Sequence, residues 1–352
     1  MKRIVIFLLA ILMVSSFVFA GGAPEASNEA PRKKVALVSS PGGTDAFITL
    51  MQNGVKDLAK ERGFDALIIE CSDMTSFEDN MRGAIKEGCD LIVGGGWEAN
   101  EGITKLSQEY KGECDFILID DISASDNVAS VSFRESESMY LVGMFAALVT
   151  EPEDMLFGSI NVNQGAGSWK WRYGFMEGIR AVKPEAEIIF NYTGSYNDPA
   201  KGKEYALQMN AQGCKYIAAC CSACGDGIKE AALEKHFYTD DSDVDRTTPD
   251  NPYIVTSMIK DTYTTAKLVI SEWLDTPDWK PGNRVLGVKE GALGAVHVNY
   301  ESAAGVPMPS QISAEDKALL DAALAKFMSG EMIIDPKTMV TEEQYYAARN
   351  SK

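Results

Sequence analysis

The segment Gly194-Ser-Tyr-Asn-Asp-Pro-Ala-Lys-Gly-Lys203 follows the apolar run Ile188-Ile189-Phe190 and joins an aromatic ring to a helix start. Asn197 or Asp198 can cap that helix, and Pro199 suits its first turn. Tyr196 therefore stands at the C-terminal end of a strand, where open α/β sheets bind small ligands. The plainer alternative is a βα loop whose tyrosine packs on its own helix. Other predicted strand ends carry Ser39, Ser40, Asp45, Phe47, Trp97, Asp120, Trp171, Ser222, Asp241 and Lys260. Flat rings with a few carboxylate, hydroxyl and ammonium groups recognise a flat or ring-shaped polar molecule by stacking plus directed hydrogen bonds.

Other chemistry has little to work with. There is no nucleophile elbow, phosphate-binding lysine loop or paired-histidine zinc helix. Gly94-Gly95-Gly96 follows a strand without dinucleotide-fingerprint spacing, and reads as a place where backbone approaches a ligand closely. Seven cysteines cannot all pair internally. Cys220-Cys221-Ser222-Ala223-Cys224 comes after the apolar run Tyr216-Ile217-Ala218-Ala219, where cysteine serves as a small buried residue, and a disulfide involving Cys220, Cys221 or Cys224 is the competing reading. The pairing of Cys71, Cys89 and Cys114 is left open. His236 and His297 are the only histidines and supply no ligand pair, so neither metal nor cofactor is expected.

The elements that must position these residues alternate along the chain. Short apolar runs at Val35–Val38, Leu67–Ile69, Leu91–Val93 and Phe116–Ile119 are separated by helical patterns, including Phe47, Met51, Gly54, Val55 and Leu58 on one face. Near-continuous apolar strands point to a parallel sheet covered on both faces. The pattern restarts with Met155–Ile160, a Trp169–Val182 helix, Ile188–Phe190, a Tyr205–Gln212 helix, Tyr216–Ala219, a helix reaching Lys235, and Phe237-Tyr238. Two doubly wound α/β lobes joined by a hinge are the economical architecture. The first crossing is expected at Glu151-Pro152-Glu153-Asp154, and a return near Lys260. The first lobe is then 34–152 plus about 261–285, and the second 153–260 plus about 286–345.

Composition sets the setting. Residues 1–20 carry Lys2 and Arg3, an apolar run from Ile4 through Leu12 and small residues around Ala20, the layout of a secretory signal. Residues 21–33 read as a flexible tether. The chain is expected in the periplasm or at the outer face of the cytoplasmic membrane, as a monomer. At 45 % hydrophobic and 24 % charged, the remainder has ordinary globular composition and length for two domains. The formal charge of −18 becomes −20 when the two cations Lys2 and Arg3 leave (−18 − 2), which argues against nucleic acid or an anionic bilayer as partner.

Four segments carry a resemblance. They are Val128-Ala-Ser-Val-Ser-Phe-Arg-Glu-Ser-Glu-Ser-Met-Tyr-Leu-Val-Gly143, Gly194–Lys203, Asp241-Ser-Asp243 and Thr256-Ser-Met-Ile-Lys260. In this order, from Val35 to about Val296, the chain resembles the basic membrane protein family of ABC-transporter substrate-binding lipoproteins, the purine nucleoside receptor A-like proteins. The resemblance implies a type I periplasmic-binding-protein fold that closes on a nucleoside and delivers it to an ABC permease. Phe47, seven residues before Gly54, matches the family's first stacking aromatic, and Tyr196 falls where a facing ring is expected. Asp120 matches a carboxylate that receives sugar hydroxyls, while Asp241 and Lys260 match polar contacts from the second lobe and hinge. Trp97 and Trp171 fit core and cleft equally.

The chain also departs from the pattern. Its first loop, Ser39-Ser40-Pro41-Gly42-Gly43-Thr44-Asp45-Ala46-Phe47, is two residues short, and Ser40 replaces an aspartate, which puts purine specificity in question. Tyr196 stands where phenylalanine is common. The lipobox cysteine is missing, which argues against a lipid anchor. Binding of a sugar or another small polar ligand is the runner-up. A nucleoside hydrolase using Asp120 and Asp241 as acid and base is the competing enzyme reading.

Overall fold

A computed structural model describes residues 32–334. The expected signal segment, all but the last two residues of the expected tether, and the expected end of the second lobe after residue 334 lie outside the described residues. The first half runs β1 (Lys34–Ser39), α1 (Ala46–Arg62), β2 (Asp65–Glu70), α2 (Ser76–Lys86), β3 (Leu91–Gly95), α3 (Asn100–Glu109), β4 (Asp115–Ile119), β5 (Ala129–Phe133) and α4 (Glu135–Val149). It continues with β6 (Leu156–Asn161), α5 (Ala166–Val182), β7 (Glu187–Tyr192), α6 (Pro199–Ala211), β8 (Tyr216–Cys220), α7 (Gly225–Lys235), β9 (Tyr238–Thr239) and β10 (Met258–Lys260). The remaining elements are α8 (Thr262–Asp275), β11 (Arg284–Leu286), β12 (Leu293–Ala295) and α9 (Ala314–Ser329). No helix among the described residues is long and apolar enough to cross a membrane.

Two parallel sheets organise the chain as the apolar runs predict. The first has the order β11-β5-β4-β3-β1-β2 and the second β7-β6-β8-β9, with every pair parallel. In the first sheet, Val35, Leu37, Leu91, Val93, Ile117 and Ile119 face α1 and α8, while Ala36, Val38, Ile92, Phe116 and Leu118 face α2 and α3. That two-residue alternation, apolar on both sides, is what a sheet buried on both faces requires. The strand order reverses at β1 in one sheet and at β6 in the other, so each lobe has a switch point at its strand ends.

The hinge is built differently from the sequence expectation. The chain leaves the first sheet at Phe133, and α4 lies along α5 of the second lobe rather than leading to a crossing at Glu151–Asp154. α4 is buried on nearly every side, as an all-round apolar helix must be. Its contact with α5 is backbone-close: a Cβ on Gly143 would stand 2.2 Å from the Phe175 carbonyl oxygen, and one on Gly178 only 2.0 Å from that of Tyr140. Apolar periodicity marks such a helix but not the lobe it joins. β11 and α8 return to the first lobe, β11 pairing with β5 and α8 packing on α1. The antiparallel pair β10–β12 stands apart from both sheets.

Gly94 and Gly95 correct another expectation. Both are buried, and an added Cβ would meet the protein itself, 2.8 Å from the Ala99 Cβ at Gly94 and 2.8 Å from the Met51 sulfur at Gly95. These glycines admit the chain's own packing rather than a ligand. All seven cysteines are free, so no disulfide joins Cys220, Cys221 or Cys224.

Candidate functional site

The strand ends of the first lobe place Phe47, Asp45 and Asp120 beside the hinge strand β10. Asp45 is the N-cap of α1, accepting the Phe47 N–H at 3.0 Å, and this fixes the ring of Phe47 in the first helical turn. Burial pushes the Asp45 carboxyl up, against those backbone hydrogen bonds. Asp120 ends β4 with φ +83°, and its N–H donates to the Val131 carbonyl at 2.7 Å. A left-handed residue at a strand end, locked by the next strand, turns its carboxylate out of the sheet.

That carboxylate meets Lys260 at 2.5 Å, and the same ammonium donates to Glu135 at 2.9 Å. Lys260 also lies 4.9 Å from the ring centre of Phe47 and 4.8 Å from that of Phe133, a cation over two aromatic faces. Lys170 of α5 pairs with the same Glu135 oxygen at 2.7 Å. Two carboxylates and two ammonium groups thus neutralise one another at the hinge. Burial opposes the charge on Lys260, yet Asp120, Glu135 and Asp243 outweigh it and hold its pKa above the ordinary value. Burial likewise opposes the charge on Glu135, and Lys170 and Lys260 overcome it, so Glu135 is held below its ordinary value.

The second lobe contributes the segment after β9. Asp240 is buried, accepting from the Ala219 N–H at 2.7 Å and the Tyr216 hydroxyl at 3.3 Å; burial pushes its carboxyl up to about 7. Asp241 turns toward α7, ion-paired with Lys229 and accepting the Ser242 N–H at 2.8 Å. Asp243 takes φ +72°, and its carbonyl accepts the Lys260 N–H at 3.1 Å. Its carboxyl is pushed up to about 7 by burial and by facing Asp45 and Asp120, with Lys260 opposing. A crevice between the lobes has Thr44 and Ala46 on one wall and Ser222, Asp241, Asp243 and Arg246 on the other.

The remaining expected residues fall in different places. Tyr196 and Trp97 are both exposed, and Trp97, from the opposite lobe, lies close enough to act on the Tyr196 phenol. Burial nonetheless raises the phenol pKa. Ser222 lines the crevice, at the single 3-10 turn ahead of α7. Ser40 and Trp171 do not line it: the Ser40 carbonyl accepts from the Ser39 hydroxyl at 2.9 Å, and Trp171 packs half-buried on the main core. Thr44, Glu135, Lys170, Lys229, Asp243 and Arg246 were not picked out by sequence. Asp243 and Glu135 sit inside recognised motifs, which was the available signal. Lys170 carries none, because its partner Glu135 is distant in the chain, and the pair of Lys229 with Asp226 is an ordinary helix-surface spacing that does not point to Asp241.

A family model described as ABC transporter substrate-binding protein PnrA-like, the Bmp family, matches residues 33–334. The chain belongs to the Bmp family. The chain spans only about half the length of curated relatives that it matches, 56 % in each of two Listeria proteins. Among Bmp relatives, the chain is 26 % identical to the "ABC transporter nucleoside-binding protein BmpA" of Lactococcus lactis subsp. cremoris, over 65 % of this chain and 68 % of that protein. It is 26 % identical to basic membrane protein B of Borreliella burgdorferi, over 84 % of this chain and 89 % of that one. A CD4+ T-cell-stimulating antigen of Listeria innocua is 29 % identical over 55 % of this chain, and there the match spans only 56 % of the relative's length. The crystal structure of an ABC transporter system solute-binding protein from Aeropyrum pernix K1 shares the fold, with a TM-score of 0.76 at 23 % identity, covering 90 % of this chain and 96 % of that one. A transcriptional activator from Bacillus halodurans also shares it, with a TM-score of 0.70 at 17 % identity over 86 % of this chain and all of that one, so the fold alone carries no function.

Proposed function

We propose that this Bmp-family protein binds a ribonucleoside between its lobes and presents it, as an exported monomer, to an ABC permease. The observation that carries this reading is the Lys260 ammonium, poised over the Phe47 ring and paired with Asp120 at the strand end. The ring offers a face for a nucleobase. The carboxylate accepts two vicinal hydroxyls, and Lys260 favours its ionised, accepting form against the burial that raises its pKa. Tyr196, Ser222 and Asp243 complete the contacts from the second lobe. The printed name of the Lactococcus relative supports the same ligand class.

Asp120 and Asp241 are each ion-paired with a lysine, Lys260 and Lys229, although burial holds both carboxyls above the ordinary aspartate value. Each lysine works against the retained proton that a general acid needs, which favours holding over hydrolysis. Native mass spectrometry of the freshly purified protein tests the reading. A retained mass equal to a ribonucleoside is expected; a retained hexose or pentose would move the assignment to a sugar, and release of free base from inosine under multiple turnover would make the protein an enzyme.

A further inference from the structure

The cysteines left over from the site form a pair with a specific placement. Cys221 and Cys224 open and close the turn that carries Ser222 to the crevice. The Cys224 N–H donates to the Cys221 carbonyl at 3.2 Å. A turn of this kind holds its end residues within about 7 Å Cα to Cα, the span a disulfide can bridge. The two thiols are near enough to shift each other's proton affinity. Cys224 is also the N-cap residue of α7, where a helix N-terminus favours negative charge. Its sulfur accepts the Asp198 N–H at 3.0 Å, and its thiol donates to the Ser195 carbonyl at 3.0 Å. The pair is thus tied directly to both ends of the loop that carries Tyr196.

The two thiols are unequal. The neighbouring Cys221 lowers the Cys224 pKa to about 6, against burial, while Cys221 is pushed well above the ordinary thiol value. Cys220, at the end of β8, is likewise raised, mainly by burial. A Cys224 thiol that gives up its proton readily, beside a Cys221 thiol that keeps it, is the asymmetry of a dithiol that exchanges with disulfides.

We propose that Cys221 and Cys224 are a dithiol–disulfide couple, oxidised by a small-molecule or protein disulfide, whose state sets the conformation of the Ser195–Asp198 loop. The Cys224 thiolate attacks one sulfur of the external disulfide, forming a mixed disulfide and releasing one thiolate. Cys221, giving up its proton, then attacks the Cys224 sulfur and expels the second thiolate. Two cysteine thiols lose two electrons, the external disulfide gains them, and two free thiols leave with the two protons. Both sulfurs are buried, so the route in is from the crevice side, where Ser222 and Ala223 face the opening. Relative to the protonated thiol, the bridge removes the donor to Ser195 and weakens the acceptor for Asp198, leaving the loop held to Cys224 by its backbone N–H to the Tyr196 carbonyl at 3.2 Å.

The test treats the folded full chain with oxidised glutathione, alkylates remaining thiols after denaturation, and maps the products by fragmentation mass spectrometry. Cys220, Cys221 and Cys224 share the tryptic peptide between Lys215 and Lys229, so Cys220→Ser and Cys221→Ser are run alongside the wild type. The expected product is a peptide lighter by two hydrogens in the wild type and Cys220→Ser, absent from Cys221→Ser. Amide exchange over residues 195–198 should be at least about threefold faster in the oxidised wild type than in the reduced one. A bridge that survives in Cys221→Ser, a persistent glutathione adduct, no oxidation at all, or equal exchange in the two states would overturn the proposal. The wild-type mapping and exchange decide it even where a variant does not fold, and none of these readouts depends on the ligand.

Discussion

Lys260 shows how much one side chain sets. It is a buried cation that pairs with two carboxylates and lies over two rings, so it sets the surroundings of Asp120 and Phe47. Base–aromatic stacking is worth about 1–3 kcal/mol, so Phe47→Ala should weaken nucleoside binding roughly ten- to a hundredfold in a titration. Asp120→Asn should narrow the preference for ribonucleosides over 2′-deoxynucleosides, since the amide presents a donor where two acceptors stood. Asp243 gives a pH signature. Its folded pKa, about 7, lies above the ordinary aspartate value, so between about pH 4 and 7 the folded chain holds a proton that the unfolded chain has lost. Its contribution to stability is therefore greatest below about pH 4 and falls as pH rises toward 7. Urea denaturation of Asp243→Asn should show a gain over wild type at pH 8 that closes toward pH 4. Sequence singled out Phe47, Asp120 and Lys260 from predicted strand ends and the family resemblance, and the structure brings the three together. Lys170 was not singled out, because its pair with Glu135 spans a long stretch of chain and leaves no local pattern.

At the scale of elements, apolar runs marked β1 to β4 and β6 to β9 but left β5 and β11 of the first sheet unread. Val35–Val38 and Leu91–Val93 read correctly because a strand buried on both faces has no polar alternation to confuse it. α4 did not yield its place to the same reading. Its apolar residues wrap the whole helix, and what assigns it to the second lobe is backbone contact with α5 through Gly143, Gly174 and Gly178. Gly178→Ala tests that contact. Its new methyl group would sit 2.0 Å from the Tyr140 carbonyl oxygen, so the helices must separate. Overpacking of this kind costs about 1–3 kcal/mol, which should appear as a lower urea midpoint with an unchanged slope. An unchanged midpoint would mean that α4 and α5 are not packed at backbone distance.

For the whole molecule, ligand and hinge are one problem. The crevice walls of Thr44 and Ser222 come from opposite lobes, and they can face one ligand only when the lobes are close. Tyr196→Phe keeps the ring and should weaken binding far less than Tyr196→Ala in the same titration. The most direct test of the central claim is calorimetric titration of ligand-free, refolded protein with inosine, guanosine, cytidine, 2′-deoxyinosine, ribose and glucose. The account predicts saturable one-to-one binding of a ribonucleoside, weaker binding of its deoxy counterpart, and a marked loss in Phe47→Ala. Folded protein that gives no heat with any nucleoside, or that binds ribose and deoxyribose nucleosides equally, would contradict it.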